Sequence, residues 1–430
     1  MCFAGLVTGF GTPASPQDRP PVEVRRRVAA LNEEGIAHFE AGDFLAAVRR
    51  FEQALELDGG SADLRANLGR AHAAYGGRLV EAAAGGKGGQ AASRTALERL
   101  QRALLYWPGD AATHRAMAWC HYRLREMPAA ETALERSVEI DPKSFDSWRL
   151  LGVIREERGR FELAFSAYET ALRLKPGDPL LTTRLQRARY DHEAVTSFRA
   201  LRDERFSIHY PKELSTELAQ KIQQLLTSTV KTFAGRWELS EPKGVVVICY
   251  PPGEFSKRTG LHEEIGGAFD GRIRIAFPEE LEGGGLGIEP VIRHETIHLL
   301  LHSAGDRPPR WLDEGLAQFL DGDDRALWFP RFRQALAQSP NVGVTERELQ
   351  YRSDDPTTWV PLYLHSFFFV KHLAEVGSEF RLDMVVREVR RGTAWDDAFK
   401  TVYGRSAADL DREWRRQLLE EPTDSDRSGG

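Results

Sequence analysis

The chain has 430 residues, enough for two or three domains, and its 41% hydrophobic and 28% charged residues are ordinary for a globular protein. A formal net charge of −6 gives no reason to expect a nucleic acid or an anionic membrane as partner. Three widely separated cysteines (Cys2, Cys120 and Cys249) argue against a disulfide framework and against a thiolate metal site. No stretch is long and apolar enough to span a bilayer.

Residues 1–22 are predicted to form a flexible leader, because they are rich in proline. They contain an apolar stretch and an Ala14–Ser15 junction, but no basic segment precedes them. The leader is therefore either a disordered tail or a degenerate signal peptide. We expect a soluble protein, with the compartment left open between the cytoplasm and export.

From about Val22 the sequence is helical and repeats internally. Pro108, Pro142 and Pro176 recur every 34 residues. Small residues and one larger apolar residue return at matched places in four copies: Gly35, Ala47, Phe51 and Ala54; Gly69, Ala96, Leu100 and Ala103; Ala118, Ala130, Leu134 and Ser137; Gly152, Ala164, Tyr168 and Ala171. This pattern resembles the helix-turn-helix unit of the tetratricopeptide repeat. The resemblance implies a curved solenoid whose concave face binds a protein or peptide, although the helices could instead only pack on the rest of the chain.

Two segments of the repeat region depart from the period. The Gly/Ala-rich insertion Gly76–Ser93 is predicted to be a mobile loop. The polar segment Asp178–Arg205 is predicted to be the helix that closes the stack.

The pattern changes at Phe206, where strands begin. Phe206–Tyr210 alternates like a strand, residues 213–237 form an amphipathic helix, and Val245–Tyr250 has the pattern of a buried strand. Residues 268–277 carry Asp270–Gly271 between alternating segments, which predicts a hairpin. Its second arm is expected to be half-exposed, with Ile273 and Ile275 facing the core and Arg272 and Arg274 facing solvent.

The motif HETIH lies in the stretch 291–322. The glycine-rich residues 282–287 and then Pro290 come directly before this stretch. On a helix, His294 and His298 project from one face, one turn apart. That geometry suits two ligands of a tetrahedral Zn²⁺, and Glu295 beside them can take a proton from water. A third protein ligand is still required, with a fourth position left open.

The third ligand does not come from the same helix. The spacing HExxHxxGxxH requires Gly at 301 and His at 304, where Leu301 and Ala304 stand. Gly305 and Pro308–Pro309 instead predict that the first helix ends and a second begins, and Glu314 is the first suitable carboxylate on it. Two antiparallel helices joined by a short loop would bring Glu314 opposite both histidines.

The segment PRWLDEGLAQF after this motif is close to the pattern P-x-W-L-x-E-G-x-A. Roughly Phe206–Leu419 resembles the peptidase-MA-like group of gluzincin metallopeptidases. The resemblance implies an α+β chain in which an all-α tetratricopeptide-repeat solenoid precedes a zinc peptidase domain of a small sheet plus helices. It also implies that the strand before the metal helix is the edge that aligns an extended substrate.

Tyr363 stands where similar chains carry a tyrosine before an apolar helix. The resemblance implies that its hydroxyl stabilises an oxyanion near the metal. From the residues alone Tyr363 is equally a packing residue, and His365 competes for the same role on weaker grounds.

Other polar residues near the motif have simpler interpretations. His302 continues the i+4 ladder but is expected to be partly exposed or to support a ligand, since a fourth protein ligand would close the site. Asp313 could hydrogen-bond a ligand imidazole, although an acidic residue on a solvated helix face is favoured. Asp306 is expected to lie in a loop.

These observations predict four segments: the leader at 1–22, the repeat solenoid with its capping helix at 23–205, the metallopeptidase domain at 206–420 and a disordered tail at 421–430. The favoured hypothesis is a zinc-dependent peptidase acting on a peptide or protein substrate. The alternatives are a repeat scaffold with a metal-binding but weakly active domain, and a metal-dependent hydrolase acting on another bond.

Overall fold

The structure is a computed structural model that describes residues 21–84, 89–251, 253–259, 266–277, 288–305, 307–323, 325–346 and 356–420. The tail, nearly all of the leader, the glycine-rich segment 282–287 and Asp306 lie outside these residues. The chain divides into two compact units between Thr182 and Thr183. Among the described residues, no helix has the length and apolar character needed to cross a membrane.

The first unit is a helical solenoid of sequential helix pairs. Its helices are α1 (Val22–Glu40), α2 (Phe44–Leu57), α3 (Ala62–Ala84), α4 (Gly89–Tyr106), α5 (Ala111–Arg123), α6 (Met127–Ile140), α7 (Phe145–Glu157) and α8 (Phe161–Leu174). Pro108, Pro142 and Pro176 each follow the second helix of a pair, as the repeat predicts. Asp43, Asp110 and Ser144 cap helix N-termini with their side chains.

Small residues let the paired helices approach closely, as predicted. A Cβ atom at Gly152 would lie 2.3 Å from the ring of Tyr168, and one at Gly35 would lie 2.5 Å from the ring of Phe51. Tyr168 is fully buried, and its hydroxyl donates to Glu156 at 2.5 Å. The ring therefore has little freedom to move away from helix α7.

The predicted mobile loop at Gly76–Ser93 is wrong for most of its length. Helix α3 continues to Ala84, and helix α4 begins at Gly89. The alanine-rich ends of the insertion extend both helices, because alanine has the highest helix propensity. As a result Gly76, and not Gly69, lies against Leu100. A Cβ atom at Gly76 would lie 2.7 Å from the Leu100 side chain.

The second unit contains a five-stranded sheet of order β1-β2-β3-β5-β4. Its strands are β1 (Arg199–Arg202), β2 (Phe206–Tyr210), β3 (Val245–Tyr250), β4 (Gly267–Phe269) and β5 (Ile273–Ala276). Strands β2, β3 and β5 run parallel, while β1 and β4 pair antiparallel at the two edges. The edge strand on this side of the sheet is therefore β4, and the prediction that β5 forms the edge is wrong.

Helices cover the sheet and complete the unit. They are α9 (Pro179–Ser197), α10 (Thr216–Trp237), α11 (Phe255–Thr259), α12 (Glu289–Ala304), α13 (Arg310–Leu320), α14 (Phe329–Gln338), α15 (Pro356–Arg390), α16 (Trp395–Tyr403) and α17 (Ala407–Glu420). A 3₁₀ turn, Ala326–Trp328, precedes α14, and α15 is interrupted at Ser378, which has φ of 64°. The main core lies between one sheet face and helices α10, α12, α13 and α15.

The predicted exposure of Arg272 and Arg274 is wrong, since both are buried. Helix α9 covers this second face of the sheet through Tyr190 and Ala194. Its Asp191 carboxylate accepts from Arg274 at 2.5 Å, so each buried charge has an opposite charge beside it. The segment expected to close the repeats thus belongs, from Thr183 onwards, to the second unit, and the division lies before the predicted one at 205/206.

We expect Gly152→Ala to destabilise the repeat unit by about 1–3 kcal/mol, because the added methyl group overlaps the Tyr168 ring. Gly109→Ala is the matched control, since no atom of the described residues lies within 4 Å of a Cβ placed there. Denaturant unfolding measures both. Equal stabilities of the two variants would contradict the close approach.

His209 makes the stability of the second unit depend on pH. Burial, with a smaller contribution from Arg202, lowers the pKa of His209 from 6.5 to about 4. The folded unit therefore binds fewer protons than the unfolded chain below pH 6.5, and its stability falls as the pH falls from about 6.5 towards 4. We expect wild type to lose about 2 kcal/mol more between pH 7 and pH 5 than His209→Gln does, measured by denaturant unfolding. Identical pH dependence in both proteins would contradict this origin.

Candidate metal centre

Helices α12 and α13 bring the three predicted ligands together. The Nε2 atoms of His294 and His298 lie 3.5 and 3.7 Å from Oε2 of Glu314. One donor atom from each of the three side chains falls within 4.8 Å of the others. The loop between the helices thus has the effect predicted for it.

Close packing of α13 on α15 sets the position of Glu314. The next residue is Gly315, where a Cβ atom would lie 2.6 Å from the backbone oxygen of Ser366. Any larger residue would push the two helices apart. The glycine of the WLDEG segment is therefore required by this contact.

The outer nitrogen of each histidine is held by a carboxylate. Asp321 Oδ2 lies 3.3 Å from Nδ1 of His294, and Asp313 Oδ1 lies 2.6 Å from Nδ1 of His298. An acceptor at Nδ1 places the proton there and leaves the Nε2 lone pair directed at Glu314. Both rings thus present their Nε2 atoms to the same point.

The donor set and its spacing fit Zn²⁺. Two imidazole nitrogens and one carboxylate oxygen leave a fourth position open, as in catalytic zinc sites. Ligands about 2 Å from a tetrahedral ion lie roughly 3.3 Å from one another. The separations of 3.5 and 3.7 Å from the two Nε2 atoms to Glu314 Oε2 are close to that value.

The charges of the centre favour a cation between its carboxylates. Burial lowers the pKa of His294, but the carboxylates of Asp321 and Glu314 beside its ring outweigh the burial and raise that pKa to about 9. The pKa of His298 is likewise raised, because the Asp313 charge overcomes its burial. Burial raises the pKa of Glu314, but the two imidazoles that lie against its carboxylate lower it to about 2. Positive charge is therefore stabilised where the three side chains meet.

Glu295 is buried beside this centre with an unsatisfied oxygen. The residue is 5% exposed, and its Oε2 has no hydrogen-bond partner among the described residues. Burial raises the pKa of Glu295 above its usual value. A Cβ atom at Gly267 of strand β4 would lie 2.9 Å from Oε1, so the carboxyl group abuts the edge strand. A buried carboxyl without a partner is costly, which points to a ligand or reactant that completes it.

The expectation that Asp313 lies on a solvated face is wrong. Asp313 is 8% exposed and contacts two histidines, accepting from His298 through one oxygen and lying 2.8 Å from His302 Nε2 through the other. His302 is not among the side chains that meet at Glu314. The alternative role predicted for His302, support of a ligand, agrees with this position.

Asp321 is the contact that sequence reasoning missed. It is 2% exposed and is also bound by Arg325 at 3.0 and 2.8 Å. A usable signal was present, since Asp321 lies two helical turns after Glu314, and residues at that spacing share a helix face.

Tyr363 reaches the centre, whereas His365 does not. The Tyr363 hydroxyl donates to Oε1 of Glu314 at 3.3 Å. Burial raises the pKa of Tyr363, so the phenol keeps its proton. His365 is buried elsewhere, with Nε2 2.7 Å from Asp411 and its ring beside Trp414.

Comparison with known proteins places families on both units. Residues 278–420 match the model of the Peptidase MA superfamily. Residues 32–93, 91–154 and 145–178 match tetratricopeptide-repeat models. Tetratricopeptide repeat protein 33 of Homo sapiens is 31% identical over 86 residues, which are 20% of this chain and 33% of that protein. Its Mus musculus counterpart is 31% identical over 88 residues, 20% of this chain and 34% of that protein, so the chain spans about a third of the relatives it matches.

Solved structures of repeat proteins are also similar to the chain. A crystal structure of MamA is 21% identical, with a TM-score of 0.28, and the match spans 36% of this chain and 82% of the MamA chain. A thermophilic TPR protein of Thermus thermophilus is 18% identical, with a TM-score of 0.26, and the match spans 38% of this chain and 99% of the Thermus chain. The family models confirm the resemblance noted in the sequence: the chain carries a Peptidase MA superfamily domain preceded by tetratricopeptide repeats.

Proposed function

We propose that this protein is a zinc-dependent peptidase, with Zn²⁺ held by His294, His298 and Glu314. The observation that carries the proposal is the buried Glu295 beside that donor set, whose Oε2 has no hydrogen-bond partner in the described part of the chain. A purely structural zinc site has no need of a base there and is closed by a fourth protein ligand. The three-residue donor set and the adjacent carboxyl together support a catalytic site.

Each residue of the proposed site has a separate role in peptide hydrolysis. When bound at such a site, Zn²⁺ lowers the pKa of water and polarises a carbonyl group. Glu295 would accept the proton of the attacking water and pass it to the departing amine. Its raised pKa suits this exchange, because a base that must also act as an acid works best with a pKa near the working pH. Tyr363 keeps its proton and would donate it in a hydrogen bond to the oxyanion that forms.

Strand β4 supports a peptide as the substrate. It lies at the edge of the sheet formed by the described strands, so one side of its backbone is not paired within that sheet. An extended peptide can add to such an edge through main-chain hydrogen bonds. Because Gly267 of β4 abuts Glu295, a peptide paired there would run past the proposed base. The edge therefore favours a peptide over a substrate that has no main-chain hydrogen-bonding groups.

The repeats support a role in recruiting a protein. Tetratricopeptide-repeat solenoids present extended surfaces for peptides and proteins. We propose that this unit binds a partner or the substrate itself. The alternative is a scaffold whose peptidase-like domain is inactive. The buried Glu295 argues against it, because its Oε2 has no partner among the residues that the structure describes.

Substitutions of Glu314 and Glu295 separate metal binding from chemistry. Wild type and Glu295→Gln are expected to contain one zinc ion per chain, and Glu314→Ala little. Glu295→Gln should lower kcat/KM on peptide substrates by about 10²–10⁴-fold, since only the base is lost. Metal analysis and peptide hydrolysis are the measurements. The proposal is wrong if the wild-type protein lacks stoichiometric metal even after zinc is added back.

The carboxylates behind the histidines should control metal affinity. We expect Asp321→Ala to weaken zinc binding by about 10–100-fold, because His294 loses the acceptor that orients it. Asp323→Ala is the matched control, as the side chain of this neighbouring residue is 55% exposed and its carboxylate lies 3.4 Å from the same Arg325. Competition against a chromogenic chelator measures both affinities, and equal losses would contradict a specific role for Asp321.

A further inference from the structure

One carboxylate is shared by two histidines of helix α12. Asp313 Oδ1 lies 2.6 Å from Nδ1 of His298, and Asp313 Oδ2 lies 2.8 Å from Nε2 of His302. Both distances are those of charge-assisted hydrogen bonds. All three groups are largely withdrawn from solvent, with 9%, 12% and 13% of the side chains of His298, Asp313 and His302 exposed.

His302 also contacts the edge strand. Its ring meets that of Phe269 edge-on, with 5.2 Å between the centroids and 86° between the planes. Phe269 belongs to β4, the strand whose Gly267 abuts Glu295. His302 therefore touches both the carboxylate behind a metal ligand and the strand beside the proposed base.

We infer that His302 is a positioning residue for the metal centre, an inference that rests on the proposed function. The terminal torsion of an aspartate is broad, so one hydrogen bond leaves its carboxylate plane poorly determined. A second hydrogen bond, from His302 Nε2–H to Oδ2, fixes that plane and directs Oδ1 at His298 Nδ1–H. The Nε2 atom of His298 is then held toward Glu314.

The test compares three substitutions of His302 in the full chain. The amide nitrogen of Gln lies near the position of an imidazole Nε2, whereas that of Asn lies near Nδ1. Gln should therefore restore the hydrogen bond to Asp313, and Asn should not. Phe keeps a ring against Phe269 but has no donor.

We expect His302→Phe and His302→Asn to weaken Zn²⁺ binding on the order of tenfold, and His302→Gln to bind nearly as wild type does. The visible absorption of the Co²⁺-loaded protein should shift in the first two variants and not in the third, because it reports the ligand field of His298. If His302 only packs, Phe will retain both affinity and spectrum, and Asn and Gln will behave alike, which overturns the inference.

The outcomes also separate this inference from the proposed function. Wild-type protein that binds no metal defeats both. A second outcome defeats the inference alone. In it, wild type binds zinc and Glu295→Gln abolishes hydrolysis, but the Phe and Asn variants of His302 keep the wild-type zinc affinity and Co²⁺ spectrum. Thermal unfolding of the metal-free proteins shows which variants fold, and the Asn and Gln pair decides the question if Phe does not.

Discussion

The hydrogen bonds between carboxylates and imidazole Nδ1 atoms determine the geometry of the centre. Without Asp313 and Asp321, either ring could turn or take the other tautomer, and its Nε2 atom would no longer face Glu314. Both carboxylates lie on α13 or at its end, so the helix that supplies Glu314 also orients the two histidines. The three proposed ligands are therefore arranged by one contact between two helices. Arg325 extends the arrangement by holding Asp321 in place.

The rest of the second unit keeps these two helices in register. Helix α12 packs against both the sheet and α10, while α13 packs on α15 through the close approach at Gly315. The same approach brings Tyr363 of α15 to Glu314. Closely packed interiors transmit small displacements, so a change of volume at Gly315 would displace the neighbouring Glu314 and with it the proposed ligand set. The apolar core thus has a direct effect on the proposed chemistry.

Buried charges on the other sheet face hold the hairpin that contains β4. Arg274 lies in β5 and contacts Asp191 of α9 and Asp270 of the hairpin turn. A buried guanidinium would be strongly destabilising alone, so removing either partner carboxylate is more costly than removing an exposed ion pair. The burial of these arginines also explains why alternation in the sequence was misleading. Period-two patterning indicates one apolar and one solvated face, but here the second face is covered by α9.

The local features of this protein could be predicted from its sequence alone. The 34-residue period, the helices with their proline stops, the strand Val245–Tyr250 and the single face shared by His294 and His298 all follow from backbone geometry and residue spacing. The motif together with WLDEG was enough to select Glu314, because few carboxylates can return to a preceding helix after a short loop. These properties depend on residues close together in the chain, so they do not require knowledge of the tertiary structure.

The groups that surround those elements were set by the tertiary fold. Whether Asp313 faces solvent or His298, whether Arg274 is exposed, and whether Tyr363 or His365 reaches Glu314 depend on packing between segments far apart in the chain. The same holds for the edge of the sheet, since strand order is set by long-range pairing and not by the alternation within one strand. Spacing along one helix predicts which side chains share a face, but what that face meets is a property of the whole fold.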